Sequence, residues 1–137
     1  MPNVGEIMTS PPTTVTGDTQ IAMVAKKMRD DDIGTVVVTD GDKLDGVVTD
    51  RDLVVRGLAE NADPQGPVGD LISGSTVSVT RNEDVATAVT LMREHAVRRL
   101  PVVDGSQVVG IVSIGDVAVQ RDERSALADI SAATPNT

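Results

Sequence analysis

Gly46-Val-Val-Thr-Asp-Arg-Asp52 returns sixty-four residues later as Gly110-Ile-Val-Ser-Ile-Gly-Asp116, with the glycine, the hydroxyl residue and the final aspartate in register. The match extends outward without a gap and lays residues 4–56 on 68–120. Val4-Gly-Glu-Ile-Met8 falls on Val68-Gly-Asp-Leu-Ile72, Thr14-Val-Thr16 on Ser78-Val-Thr80, and Asp40-Gly41 on Asp104-Gly105. Fourteen of the 53 pairs are identical. Roughly four would coincide by chance in so valine-rich a chain, so the sequence holds two copies of one supersecondary unit. A solenoid needs more copies; two are expected to pack face to face as a pseudo-symmetric pair.

Each copy has the same local grammar. Ile21, Val24, Ala25 and Met28 stand at i, i+3, i+4 and i+7, and Val85, Ala88, Val89 and Met92 repeat that spacing, which predicts one amphipathic helix per copy. Asp18 and Asn82 precede these helices as expected N-caps. Thr35-Val-Val-Val-Thr39 and Val47-Val48 flank Asp40-Gly-Asp-Lys43, and Leu100 to Val103 and Val108 to Val112 flank Asp104-Gly-Ser106. β-Branched runs about turn residues predict a hairpin in each copy. A second helix is expected at about 50–59 and 115–121. The unit is thus a lead-in, a short strand near Val15 or Val79, then helix, strand, strand, helix. Residues 1–60 form the first repeat, 61–67 a turn-rich linker, 68–121 the second repeat and 122–137 a flexible tail.

Composition removes whole classes of function. The 137 residues contain no Cys, Trp, Tyr or Phe and a single histidine, His95. Disulfides, thiolate metal sites, cysteine nucleophiles and multi-histidine metal clusters are excluded, as are the aromatic platforms on which single-stranded nucleic acids stack. The formal net charge of −9 opposes phosphate backbones and anionic lipid, so neither nucleic acid nor membrane is an expected partner. The start, Met1-Pro-Asn-Val-Gly-Glu6, has neither a basic flank nor an apolar stretch, and the expected location is cytoplasmic.

The chemistry concentrates at the ends of the hairpins. Thr49-Asp-Arg-Asp52 and Ser113-Ile-Gly-Asp116 each place an acid three residues after a hydroxyl. Read blandly, this is a capping box at a helix start, with Asp in place of the commoner Glu or Gln. Read functionally, a strand end meeting a helix N-terminus offers N–H groups and a hydroxyl to phosphate, and the carboxylate suits the paired hydroxyls of a ribose. The two roles are compatible in one residue. Arg98 and Arg99 precede the second repeat's hairpin, and two guanidinium forks in an acidic protein suit either phosphate or surface carboxylates. The matching Gly34 and Thr35 are uncharged, and Arg51, inside the first motif, is placed to compensate. Leu53-Val-Val55 with Leu58, echoed by Val117-Ala-Val119, makes each second helix apolar on more than one face, which predicts a contact beyond the core, between repeats or between chains.

Arg99-Leu-Pro-Val-Val-Asp104, Gly110 to Asp116 and Gly46 to Asp52 resemble the CBS domain, which occurs in tandem as a Bateman module; the resemblance covers residues 4–120. It implies an α/β (α+β) fold of two pseudo-symmetric β-α-β-β-α repeats packed through their sheets, most like the stand-alone pairs of the hypoxic response protein type. It also implies two clefts between the repeats that in many members hold adenine nucleotides or S-adenosyl ligands. By this resemblance Asp52 and Asp116 bind ribose hydroxyls, Thr49 and Ser113 meet phosphate or ribose, Arg98 and Arg99 contact phosphates, and the segments at Thr14 and Ser78 frame the base. With no aromatic residue to stack on adenine, Ile33, Val97 and Ile111 are the expected sandwich. Val37 stands where the family has proline in the first repeat, and Gly34-Thr35 lack its basic character, which favours the second cleft.

Three functions compete on this sequence. The first is a regulatory module that senses AMP, ADP, ATP or S-adenosylmethionine, requires no cofactor or metal, and relays ligand state to a regulated protein through a homodimer. The second is a non-catalytic dimerisation or interaction module with no nucleotide. The third, an enzyme, is set aside: no serine sits in a nucleophile elbow, and His95 alone would have to serve every proton transfer.

Overall fold

The β-branched runs form the two hairpins. A computed structural model describes residues 2–72 and 77–121; the expected tail lies outside the described residues. In the first hairpin β2 (Thr35–Asp40) pairs antiparallel with β3 (Lys43–Thr49), and the short β1 (Thr14–Thr16) adds to β2 in parallel. The second copy repeats this with β4 (Val79–Thr80), β5 (Arg99–Asp104) and β6 (Gln107–Ser113). Both hairpins shift register at the same place, between Val38 and Thr39 and between Val102 and Val103. Gly41 and Gly105 turn at φ 61° and 65°, a conformation that only glycine enters without steric cost.

Each sheet carries its expected amphipathic helix, α2 (Ile21–Asp31) and α4 (Val85–His95). Val24 and Met28 of α2 are buried with Val36, Val38 and Val48, and Val85, Ala88 and Met92 of α4 with Leu100, Val102 and Val112. Ala25 departs from the periodicity and is exposed, because α2 turns its Val24–Met28 edge to the sheet. The expected caps are also corrected. The N-cap positions fall two residues later, at Gln20 and Asp84, and neither of these side chains makes a capping bond. The Thr16 hydroxyl donates to Asp18 instead, within a turn closed by Thr19 N–H on Thr16 C=O at 3.1 Å. Linker carbonyls cap α2: Ile21 N–H donates to Gly66 C=O (3.0 Å) and Ala22 N–H to Pro64 C=O (2.8 Å).

The second helix of the first copy is a composite. α3 (Asp50–Asp52) opens into a π-helical turn over Leu53–Gly57 and tightens to 3-10 geometry over Leu58–Glu60. Buried Gly57 lets this segment approach the Leu71 side chain, since a Cβ there would lie 3.3 Å from Leu71 Cδ1. Its counterpart α5 (Ile114–Arg121) is regular.

The lead-ins determine how the chain divides. α1 (Val4–Ile7) inserts Val4 into the core of Val79, Val85 and Leu100, and its backbone is held by Val4 N–H to Glu83 C=O and Gly5 N–H to Arg81 C=O, both 2.8 Å. Thr9 and Ile111 exchange two further backbone bonds. The equivalent turn Val68–Leu71 instead buries Val68 and Leu71 with Val24 and Val36, through Val68 N–H to Thr19 C=O and Gly69 N–H to Gly17 C=O. One compact unit therefore comprises residues 13–72, and the other residues 2–12 with 77–121. Repeats of the sequence and compact units of the fold cut the chain at different places.

Candidate functional site

In the second-repeat unit β6 ends on Ser113 and α5 begins at the next residue. Asp116 N–H donates to Ser113 Oγ (3.1 Å) and Ser113 N–H donates to Asp116 Oδ2 (2.8 Å), a reciprocal capping box. Both residues remain half-buried. Arg99 opens β5 directly opposite Ser113 in the ladder, and Ile114 N–H donates to Arg98 C=O at 2.9 Å. The two arginines thus stand beside the capped helix start, exposed, and none of the ion pairs among the described residues uses either. A guanidinium carries five N–H donors, and next to a helix N-terminus those donors have the chemistry an anion requires.

The first-repeat unit builds the same frame from different side chains. Asp52 N–H donates to Thr49 Oγ1 (3.1 Å), Thr49 N–H to Asp52 Oδ2 (2.9 Å), and Asp50 N–H to Gly34 C=O (3.0 Å). Arg56 Nε lies 3.7 Å from the other carboxylate oxygen of Asp52. Opposite Thr49 in the ladder stands Thr35, whose hydroxyl is buried and without a hydrogen-bond partner. Where the second unit has Arg98, Arg99 and Ile114, this one has Gly34, Thr35 and Asp50. Arg51 is exposed on the first helical turn, free of ion pairs, and its backbone N–H rests on the Asp50 carboxylate at 2.8 Å.

The other expected contacts stand on different elements of the two units. Thr14 starts β1 in register with Val37, and Ser78 is half-buried just before β4. Ile33 packs on the first unit's core. Val97 joins Ile114 on an apolar groove between α4 and α5, and Ile111 faces Pro101 in the ladder with its backbone bonded to Thr9. Thr35 and Asp50 are the residues that sequence reasoning missed. The repeat alignment held the signal, since it sets Thr35 on Arg99 and Asp50 on Ile114. Among the described residues no group of three or more His, Cys, Asp or Glu is placed to hold a metal, and no helix is long and apolar enough to cross a membrane.

The chain is similar to known proteins in sequence and in fold. A curated relative, the CBS domain-containing protein YhcV of Bacillus subtilis, is 37% identical over 135 residues, which is 96% of both chains. The crystal structure of Hypoxic Response Protein I with two coordinated zinc ions matches at TM-score 0.80 and 36% identity, over 88% of this chain and 99% of that one. The CBS domain protein PAE2072 from Pyrobaculum aerophilum complexed with AMP matches at TM-score 0.79 and 27% identity, over 93% and 98%. The CBS domain pair of protein MJ0100, in complex with 5'-methylthioadenosine and S-adenosyl-L-methionine, matches at 0.79 and 25%, over 90% and 98%. The CBS domain family model fits residues 4–57 and again 68–121, each one residue longer than a copy delimited by the offset of sixty-four, and the chain belongs to the CBS-domain family as a tandem pair.

Proposed function

We propose that the protein is a regulatory module whose second-repeat unit binds an adenine nucleotide and whose ligand state is relayed through a homodimer. The observation that carries this reading is the pair of unpaired guanidiniums, Arg98 and Arg99, beside the Ser113–Asp116 box. Asp116 keeps an oxygen free for ribose hydroxyls, Ser113 and the start of α5 face phosphate, and the arginines complete an anion site. Binding of AMP by PAE2072, and of adenosyl compounds by the MJ0100 pair, supports the ligand class. Exposed Val54, Val55 and Leu58 support self-association.

A thermal-shift screen followed by circular dichroism, with AMP, ADP, ATP, NAD and S-adenosylmethionine, tests the ligand. A ligand selective for the folded chain raises Tm with concentration, by about 2.7 kcal/mol of stability at a hundred times Kd. A flat response to all five removes the nucleotide reading.

A second reading, an interaction module with no nucleotide, is favoured by one observation. In both units the hydroxyl and the carboxylate already satisfy each other's backbone N–H groups, which is sufficient reason for the motif to exist.

A further inference from the structure

An apolar groove runs between α2 and the segment after Thr49 on the first-repeat unit, and between α4 and α5 on the second, with volumes of about 390 and 370 Å³. The two are built from aligned residues: Met28, Leu53 and Val54 of the first stand where Met92, Val117 and Ala118 stand in the second. Past Gly57 the first groove is also lined by Leu58, Ala62 and Pro64. Ala62 and Pro64 belong to the linker, which turns back with Ala62 N–H on Gly57 C=O at 3.0 Å and reaches the start of α2. The offset of sixty-four carries Leu58, Ala62 and Pro64 to Asp122, Ala126 and Ala128, in the segment that follows Arg121, the last of the described residues.

The start of α4 carries the same correspondence. Ile21 N–H donates to Gly66 C=O, and at α4 Val85 N–H donates to the counterpart carbonyl, that of Pro2, at 3.5 Å. The next donor of α2, Ala22 N–H, goes to Pro64 C=O, whereas Ala86 N–H has no hydrogen-bond partner among the described residues. The counterpart of Pro64 beyond α5 is Ala128. Charge differs between the grooves. Asp50 is the charged residue of the first; Arg93 and Arg121 are those of the second, and neither has an ion-pair partner among the described residues.

We propose that residues 122–130 of this chain turn back over the second-repeat groove as the linker turns back over the first, bringing Ala128 C=O to Ala86 N–H and Leu127 and Ile130 to the apolar floor. Reach suffices: the six residues from Asp122 to Leu127 span up to about 20 Å when extended, against about 10 Å for α5 from Ile114 to Arg121. The segment offers Ala126, Leu127, Ala128 and Ile130 to apolar surface, and Asp122, Glu123 and Asp129 against one Arg124. It is therefore drawn to the groove rimmed by Arg93 and Arg121 and disfavoured at the one that holds Asp50. Docked there, it shields Ile114, which is 56% exposed, and Val97 from water. The inference depends on neither the nucleotide nor the self-association proposed above.

Because the chain has no cysteine, an introduced pair supplies its only thiols. Ala86→Cys with Ala128→Cys is compared with Ala22→Cys and Ala128→Cys in the full chain at about 1 μM, each equilibrated with glutathione so that mass spectrometry reads the effective concentration of the intrachain disulfide. The Ala86 pair is expected to exceed the Ala22 pair at least about tenfold, and adding Leu127→Asp and Ile130→Asp to abolish the excess. In the cysteine-free chain, hydrogen exchange is expected to show the Ala86 amide protected, with at least about a tenfold loss of protection on Leu127→Asp, Ile130→Asp and no change in α2. Equal effective concentrations for the two pairs, or an Ala86 amide that exchanges alike in parent and variant, overturns the proposal. Disulfides that form between chains rather than within one assign the segment to a second copy and overturn it equally.

Discussion

In the proposed site Arg98 and Asp116 would divide the recognition of one ligand between two chemistries, so their removal is expected to have different effects. A guanidinium recognises phosphate, whereas a carboxylate accepts from ribose hydroxyls whether or not phosphate is present. Asp116→Ala is expected to weaken adenosine and AMP alike, and Arg98→Ala to weaken AMP alone, as read by calorimetry with both ligands on each variant. Asp116→Ala also removes half of a capping box, worth about 1 kcal/mol, so its titration belongs well below its melting temperature. Equal and unchanged affinities in both variants would leave Ser113 and Asp116 as a helix cap. Thr35 makes the opposite case. Its hydroxyl is buried with no partner, at 7% exposure, so Thr35→Val keeps the shape and relieves a desolvated donor. The variant is expected to gain about 1 kcal/mol in urea denaturation. A loss of that size would mean that the hydroxyl has a partner in solution.

At the scale of elements, the two copies keep one framework and diverge at helix ends. α2 and α4 both stop on a left-handed residue whose N–H returns to the last turn, Asp32 at φ 57° and Ala96 at φ 54°. Aspartate tolerates that conformation better than alanine, whose Cβ crowds the following carbonyl. Ala96→Gly is therefore expected to stabilise the chain by up to about 1 kcal/mol, seen as a higher urea midpoint at constant m-value. A lower midpoint would show that entropy lost by glycine exceeds the relieved strain. The hairpin, turn and strand-to-helix motif were legible because each is written within a few residues: a period of two, an Asp-Gly turn, a hydroxyl with an acid at i+3. Gln20 and Asp84 as N-caps were not, because the first N–H donors of the two helices go to carbonyls far away in sequence, Gly66 and Pro64 for α2 and Pro2 for α4.

For the whole molecule, the lead-in is the decisive contact. Val4 is fully buried, and the segment around it bonds to the turn before α4 and to β6. Val4→Ala is expected to cost about 2 kcal/mol as a cavity in a tightly packed valine core. Hydrogen exchange should locate the loosening in residues 77–121, with residues 13–72 protected as before. Loosening confined to residues 13–72 would refute the division of the chain into these two units.

The sequence by itself determined the duplication, the hairpins, both capping boxes and the charge difference between Gly34-Thr35 and Arg98-Arg99, all of which are local or follow from aligning the chain with itself. It resembled its family through the same short motifs. Only the tertiary structure decided which core each lead-in enters. Val4-Gly-Glu-Ile7 and Val68-Gly-Asp-Leu71 are nearly the same peptide, and nothing local to either distinguishes the two cores. Only it, too, left the Thr35 hydroxyl unpaired, turned Ala25 outward and set Asp50 and Arg93 on the rims of different grooves. Those outcomes depend on packing between segments far apart in sequence, where burial and the pairing of buried polar groups are settled by neighbours that no local pattern names.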